Sequence, residues 1–409
     1  MRPLLLLLIV ALAGCPRTGP VGPSPEPIDA GVDGREGGPD HPDADPDADP
    51  DGGLDAGVGV APAITWQHVD QPSDVSAQPP APSTWRIHLI DVGTGLSILV
   101  QGADFTMLFD AGTGDPGEPP IRVVAYLTAA LGPSGDQQCS ERGVASKTRR
   151  RIDHVVLSHP HLDHASALEL VLHCFEIGDL WDSGRVNDTV FYREFIRSVS
   201  EAIGTRYHTA APPALDRTIT VKGETIAIPK GVTWDSFSEG DEVGLGAAAR
   251  FTLLHAESKA RSDPNQNSIV VAVALGATRL LLTGDAESGP RADPSAKVGD
   301  VEAHLLDHFA ALIDADILQV GHHGSKTSSR AAFIAAVSPI LALVSAGPKK
   351  YGGVVLPDQV VIDELKAAGA TVLRTDEHDA ACPAPTRLGP NQGPGGCDSW
   401  IVTVDERVR

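Results

Sequence analysis

From Trp85 onward the chain is a succession of short apolar runs closed by a glycine or an acid, interleaved with segments whose apolar positions recur at helical spacing. Trp85 to Gly93, Leu96 to Val100 and Thr106 to Gly112 read as strands separated by glycine turns. Ile121 to Leu131 predicts a helix. A polar segment then leads to the apolar run Val155-Val156-Leu157, a strand, and Ala165 to Cys174 predicts the next helix. Phe191 to Ala202 is helical by its spacing, and Thr205 to Gly246 alternates strand-like runs with turns. The tract Gly240 to Gly246 predicts a hairpin into the strand Phe251 to His255. Ile269 to Leu275 and Arg279 to Leu282 are strands around the turn Gly276-Ala277. The helix Val301 to Ile313, the strand Ile317 to Gly321, the helix Val360 to Ala368, the strand Thr371 to Asp376 and a final strand Trp400 to Val404 complete the pattern. Strands alternating with helices predict an α/β fold.

The N-terminal part follows other rules. Met1 to Gly14 is one arginine, an apolar run and small residues, too short to span a bilayer as a mature helix and laid out as a secretory signal. Leu12-Ala13-Gly14-Cys15 looks like a bacterial lipobox, which makes Cys15 the lipidation site and residues 1–15 the signal peptide. Pro16, rather than an aspartate, follows it, and by resemblance to sorted lipoproteins this favours the outer membrane. The expected location is the cell envelope, lipid-anchored, at the outer membrane or periplasmic face. Pro16 to about Ala63 is proline, glycine and aspartate with almost nothing to bury. An acidic, solvated linker is therefore expected over 16–84, with the folded domain over 85–409. Its aspartates two apart suggest calcium loops, but prolines fill the spacer positions and no glutamate closes a loop.

Composition changes this picture in one respect. At 409 residues the chain has a formal charge of −22, which argues against non-specific attraction to nucleic acid or an anionic membrane surface. Part of it is linker: eleven acids and two arginines lie between Cys15 and Asp55. A locally basic groove remains compatible with the balance. Apart from Cys15, an exported chain can pair Cys139, Cys174, Cys382 and Cys397 in three ways. The glycine- and proline-rich loop from Cys382 to Cys397 favours that pair, and Cys139 with Cys174 follows by elimination. No Cys-x-x-Cys spacing suggests a structural zinc site.

The chemistry concentrates in Leu157-Ser158-His159-Pro160-His161-Leu162-Asp163-His164. Neutral imidazole and carboxylate suit a borderline divalent ion such as zinc, and a loop between strand and helix lets neighbouring side chains converge. His159 and His161, two apart, can chelate one ion. Asp163 and His164, where the loop turns into the helix, can reach a second.

This stretch resembles, residue for residue, the HxHxDH signature of the metallo-β-lactamase superfamily. The order of the later segments is most similar to the hydrolase domain of ComEC-type DNA-uptake proteins, over roughly Trp85 to Asp379. The resemblance implies a four-layer αβ/βα metallo-β-lactamase sandwich. It places the strand and loop after the histidines at Ile177 to Gly184. Asp110 would brace the metal loops, and Asp285, after Thr283-Gly284, would bridge two metals. One of His322 and His323 would close the second metal's shell, while the other, with Ser325 and Thr327, would face substrate. His255 or the amide of Asn267 would complete the first site, or that site would rest on His159, His161 and Asp285 with water; Asn267 is also a candidate to line the substrate. Two departures stand out: Gly93-Thr94-Gly95-Leu96 in place of Gly-Gln-Gly-Asp, and Tyr351-Gly352-Gly353-Val354 in place of Tyr-Gly-His-Pro.

Two divalent metal ions, zinc or manganese, are implied, with Asp163, Asp285, His322 and His323 as the catalytic set. The expected activity is a phosphodiesterase or nuclease, with nucleic acid possible as substrate and no protein partner inferred. The alternatives are hydrolysis of a small ester, phosphorylcholine-type or lactone, and a binding module that keeps the fold without the chemistry.

Overall fold

The computed structural model describes residues 63–70, 72–114, 121–139, 146–378 and 398–407. Within them two sheets lie face to face. The first runs, edge to edge, Ala63–His68, Trp400–Asp405, Thr84–Leu89, Ile98–Gln101, Thr106–Phe109, Arg150–Leu157, Phe175–Asp182, Arg206–Thr209 and Thr233–Ser236. The second runs Glu242–Gly246, Ala249–His255, Val270–Leu275, Thr278–Leu282, Ile317–Gln319, Leu341–Val344 and Thr371–Arg374.

The strand alternation decides the layering. In the strand Arg150–Leu157, Ile152, Val155 and Leu157 face the helices Ile121–Leu131, Leu168–Cys174 and Val190–Glu201, while Val156 points between the sheets. In the second sheet Leu280 and Leu282 join Val156, Met107, Phe109, Phe251 and Leu253 in the interlayer core. Leu281 and Leu318 face the helices Asp300–Ile313, Ala331–Val337 and Gln359–Ala367. Helices, sheet, sheet and helices make four layers, as expected.

The expected linker ends earlier than the composition of 16–84 suggests. Ala63–His68 is an edge strand, paired antiparallel with Trp400–Asp405 in the register Ala63 to Asp405 and His68 to Trp400. Val69 and Val75 after it are buried in the core. One short strand whose partner lies at the other end of the chain leaves no local periodicity strong enough to outweigh flanking prolines. The helix expected over Ala165 to Cys174 is two pieces, Leu162–Ala165 and Leu168–Cys174. The break falls where Ala167 N–H donates to the Ala111 carbonyl at 2.9 Å and Ser166 Oγ accepts from Thr113 N–H at 2.9 Å.

Cys139 and Cys174 are joined, S–S 2.09 Å. The expected pair Cys382 and Cys397, like Cys15, lies outside the described residues. Among the described residues no helix is long and apolar enough to cross a membrane.

Candidate metal centre

The strand Arg150–Leu157 delivers its ligand loop into a frame made by the loops before it. Leu96 N–H donates to the Asp163 carbonyl at 3.0 Å and Ala111 N–H to the His164 carbonyl at 2.8 Å. The backbones approach so closely that a Cβ on Gly112 would stand 2.5 Å from His164 N. Asp110, at φ 57°, caps this frame. Its carboxylate accepts Ser158 N–H and Ser158 Oγ–H, both at 2.7 Å, and His164 Nδ1–H at 2.8 Å. Burial pushes the Asp110 carboxyl up, against the pull of His164 and Ser158. These bonds tie the end of the strand Thr106–Phe109 to the histidine loop.

These bonds set the tautomers. Ser158 Oγ gives its proton to Asp110, so at 3.0 Å it accepts from His159 Nδ1–H and leaves His159 Nε2 a lone pair. His164 gives Nδ1–H to Asp110, and His323 gives Nδ1–H to the Ser345 carbonyl at 2.8 Å. Three rings are therefore anchored on their outer nitrogen and turn Nε2 inward.

All three converge on Asp285. Its Oδ2 stands 3.2 Å from His164 Nε2, 3.6 Å from His323 Nε2 and 3.8 Å from His159 Nε2. His161 Nδ1 is 2.9 Å from His159 Nε2, and Asp163 Oδ2 is 3.6 Å from His323 Nε2. The ligand atoms fall into two groups, His159, His161 and Asp285, and Asp163, His164 and His323, each within 4.8 Å. His164 Nε2, His323 Nε2 and Asp285 Oδ1 are buried without a hydrogen-bond partner among the described residues. Leaving such a group unsatisfied costs about 1–3 kcal/mol. Inward lone pairs beside carboxylates, with outer nitrogens held by oxygen, are the donor set that divalent ions take. Burial pushes His159 well toward the neutral ring and His161 in the same direction. Burial also opposes charge on His164, but Asp285 and Asp110 outweigh it and raise its pKa.

Asp285 owes its position to a buried amide. Gln319 Oε1 accepts Thr283 N–H at 2.7 Å and Gly284 N–H at 2.8 Å, and Gln319 Nε2 returns a bond to the Gly284 carbonyl at 3.1 Å. Gly284, at φ 56°, lies against Ser158, where a Cβ would come within 2.6 Å of its side chain.

The pair His322-His323 is separated by its backbone. His322, His323 and Gly324 have φ of 47°, 53° and 75°, three left-handed residues in a row. That conformation costs non-glycine residues about 1 kcal/mol or more each and persists where surrounding bonds over-determine it. Here His322 N–H donates to the Gly284 carbonyl and Ser328 Oγ–H to the Gly321 carbonyl at 2.7 Å. The turn sends His323 to Asp163 and His164, with which it forms one of the two candidate ligand groups. His322 instead places Nδ1 2.8 Å from Glu287 Oε1 and 2.7 Å from Thr327 Oγ1, with Nε2 3.8 Å from Asp285 Oδ2. Against the effect of burial, Asp285 and Glu287 raise the His322 pKa.

Three expectations are corrected. Asn267 is fully buried, with Oδ1 accepting from Arg261 N–H and Nδ2 donating to the Glu257 and Lys259 carbonyls, so its amide folds the 257–261 loop and is not available to metal or substrate. His255 spends Nδ1 on the Ser268 carbonyl and packs against His304; it joins neither ligand group. Ser325 is buried and held by Arg291, Thr327 and its own turn, so it shapes the histidine turn without facing substrate. Thr327 orients His322.

Four residues of the site went unread in the sequence: Ser158, Glu287, Gln319 and Tyr351. Ser158 and Glu287 sit next to or near a named ligand, a usable signal. Tyr351 hydroxyl donates to Asp163 Oδ2 from a remote hairpin, with Lys349 Nζ 5.0 Å above its ring.

Residues 90–181 match the family described as the Metallo-beta-lactamase superfamily. The resemblance drawn from the histidine loop is thereby shown, and the four layers are the αβ/βα fold of that superfamily. Over 297 residues the chain is 28% identical to the uncharacterized protein YcaI of Escherichia coli, covering 71% of this chain and 29% of that protein. It is 27% identical to competence protein ComA of Neisseria gonorrhoeae over 70% of this chain and 30% of that one. It is 26% identical to recombination protein 2 of Haemophilus influenzae over 64% and 24%. The chain thus spans less than a third of the length of these relatives. Among solved structures it is similar to the metallo-β-lactamase fold protein YhfI of Bacillus subtilis, at 11% identity and TM-score 0.36, covering 71% of this chain and 95% of that one. It is also similar to Zn(2+)-bound PqqB of Methylobacterium extorquens, at 13% and 0.36, covering 70% and 97%.

Proposed function

We propose, from the premise that residues 90–181 match the metallo-β-lactamase superfamily, that this chain is a metal-dependent hydrolase of phosphodiesters, with nucleic acid in its substrate class. The observation that carries the reading is the convergence of three inward-turned Nε2 atoms on Asp285, with Asp163 facing one of them, His323. A binding module that had lost the chemistry has no need of that set.

His159, His161 and Asp285 would hold one zinc or manganese ion, and Asp163, His164, His323 and Asp285 the other. When bound, such ions lower the pKa of a shared water and offset charge on the reacting oxygens. The chain's own residues supply the rest. Asp110 and Ser158 fix the rings, so the ligands are aligned before substrate arrives. His322, backed by Glu287 and Thr327 and partly open to solvent, can give a proton from Nε2 to a leaving oxygen; Asp285 and Glu287 favour its protonated form. The names of the relatives, competence and recombination proteins, support a nucleic-acid substrate over a small ester.

The same proposal places the enzyme in the cell envelope, exported and anchored through a lipid on Cys15. Lipid labelling that persists in Cys15→Ser would remove that part. The test of the activity sets the metal-loaded protein against single-stranded DNA, a bis-aryl phosphodiester, a lactone and a β-lactam. Turnover of the first two, abolished in Asp285→Asn, is expected. Turnover of the lactone alone would replace the phosphodiester reading with the small-ester one.

A further inference from the structure

A second convergence of imidazole and carboxylate, sharing no residue with the centre described above, forms where three separate segments meet. His68 ends the edge strand Ala63–His68, while His378 and Asp398 flank residues 379–397, the connection between the strands Thr371–Arg374 and Trp400–Asp405. The Asp398 carboxylate is completely buried. Its Oδ2 accepts the His378 backbone N–H at 2.8 Å, and its Oδ1 faces two rings, His68 through Nε2 at 3.2 Å and His378 through Nδ1. These ligand atoms lie within 4.8 Å of one another.

The orientation of His68 is informative. Its Nδ1 is 2.7 Å from Asp70 Oδ1, and its ring is wedged edge-on against Trp400 with centroids 4.9 Å apart. A ring that gives Nδ1–H to Asp70 presents a bare Nε2 to a carboxylate oxygen, so two electron-pair donors face each other across 3.2 Å. Either the ring carries a second proton, or a cation lies between them. A carboxylate backing one nitrogen of an imidazole whose other nitrogen is turned toward further ligands is the arrangement found behind metal-bound histidines. Arg374 offers no ready substitute, because its guanidinium is forked onto Asp376 at 2.9 and 2.7 Å.

We propose that His68, His378 and Asp398 form a further divalent-cation site for an ion of the zinc class, with Asp70 orienting His68. Two imidazoles and one carboxylate are a borderline donor set, and the solvent-exposed side of His378 leaves room for water to complete the coordination. The site ties the N-terminal edge strand to both ends of the 379–397 connection. It stands independently of the hydrolase reading, since none of its residues belongs to the central cluster.

The test uses the full chain, dialysed against zinc and measured for zinc per chain by elemental analysis. The wild type should hold about one equivalent more than His68→Ala/His378→Ala. In an Asp285→Asn background, added zinc should still raise the melting temperature, and the two histidine substitutions should abolish that rise. The single variant His378→Gln, at an exposed position, covers the case in which the double variant fails to fold and should lose the same equivalent. Equal zinc content in wild type and His378→Gln would overturn the proposal and leave the cluster as histidines ion-paired to a buried carboxylate. Loss of zinc from Asp285→Asn at the central cluster alone, with this equivalent retained, separates the two sites.

Discussion

The hydroxyl of Tyr351 donates a hydrogen bond to Oδ2 of Asp163, the same oxygen that faces His323 Nε2. The hairpin that carries the tyrosine therefore backs a member of the second ligand group, in the region where the sequence departs from the Tyr-Gly-His-Pro that the resemblance implies. Tyr351→Phe should keep the fold and the first ion and weaken the second by about tenfold, the low end of what partners of ligating groups contribute. Competition for zinc against a chromophoric chelator measures it. Unchanged affinity for both ions would reduce the contact to surface packing.

His322 and His323 should behave differently despite being neighbours. His323→Ala removes an inward Nε2 and should cost one equivalent of metal. His322→Ala should retain full metal and lower turnover by about a hundredfold, within the usual reach of a general acid. Stoichiometry and single-turnover rates, taken together, check the assignment. Metal loss in His322→Ala with full occupancy in His323→Ala would reverse it.

Acid should destabilise the fold through a residue outside the metal centre. His88 is buried between Tyr126 Oη at 2.9 Å and Gln101 Oε1 at 2.8 Å, and burial lowers its pKa from 6.5 to about 4. A depressed histidine favours the fold while neutral, so this stability is present above 6.5 and is lost as pH falls toward about 4. Between about pH 7 and about pH 5 the loss is about 2 kcal/mol. Urea unfolding midpoints at the two pH values should show it, and His88→Gln should flatten the difference.

Reducing the bond between Cys139 and Cys174, 35 residues apart, should cost about 4 kcal/mol by releasing the unfolded chain. Cys139→Ser/Cys174→Ser should melt lower under non-reducing conditions and match the wild type in strong reductant. Identical melting without reductant would show that the bridge does not form in the isolated protein.

The sequence disclosed whatever was local. The strand, loop and helix around His159 to His164 are legible because those residues and the elements that carry them are contiguous, and Asp285 because the resemblance places an acid after Thr283-Gly284. Tyr351 was not, because 188 residues separate it from Asp163 and only the meeting of two loops gives it a role. The strand Ala63–His68 escaped for the same reason, as its partners lie at the other end of the chain; His68 and Asp398 are 330 residues apart. Asn267 misled in the opposite sense. The resemblance offers its amide as a candidate ligand, but an amide with both ends engaged by neighbouring backbone has nothing left to give.

The central cluster draws His159, His161, Asp163 and His164 from the first sheet's loops and Asp285 and His323 from the second's. On the proposed metal reading, interlayer packing and metal binding are linked, and each shifts the other by the same coupling free energy. Leu253, buried in that core, belongs to neither ligand group. A cavity there, costing about 2–5 kcal/mol of stability, would be expected to ease the sheets apart and loosen both ions. Chelation, in turn, would soften the packing between the sheets well away from the ligands. Hydrogen exchange at Val271 and Val273 would follow the metal, although no ligand lies on their strand.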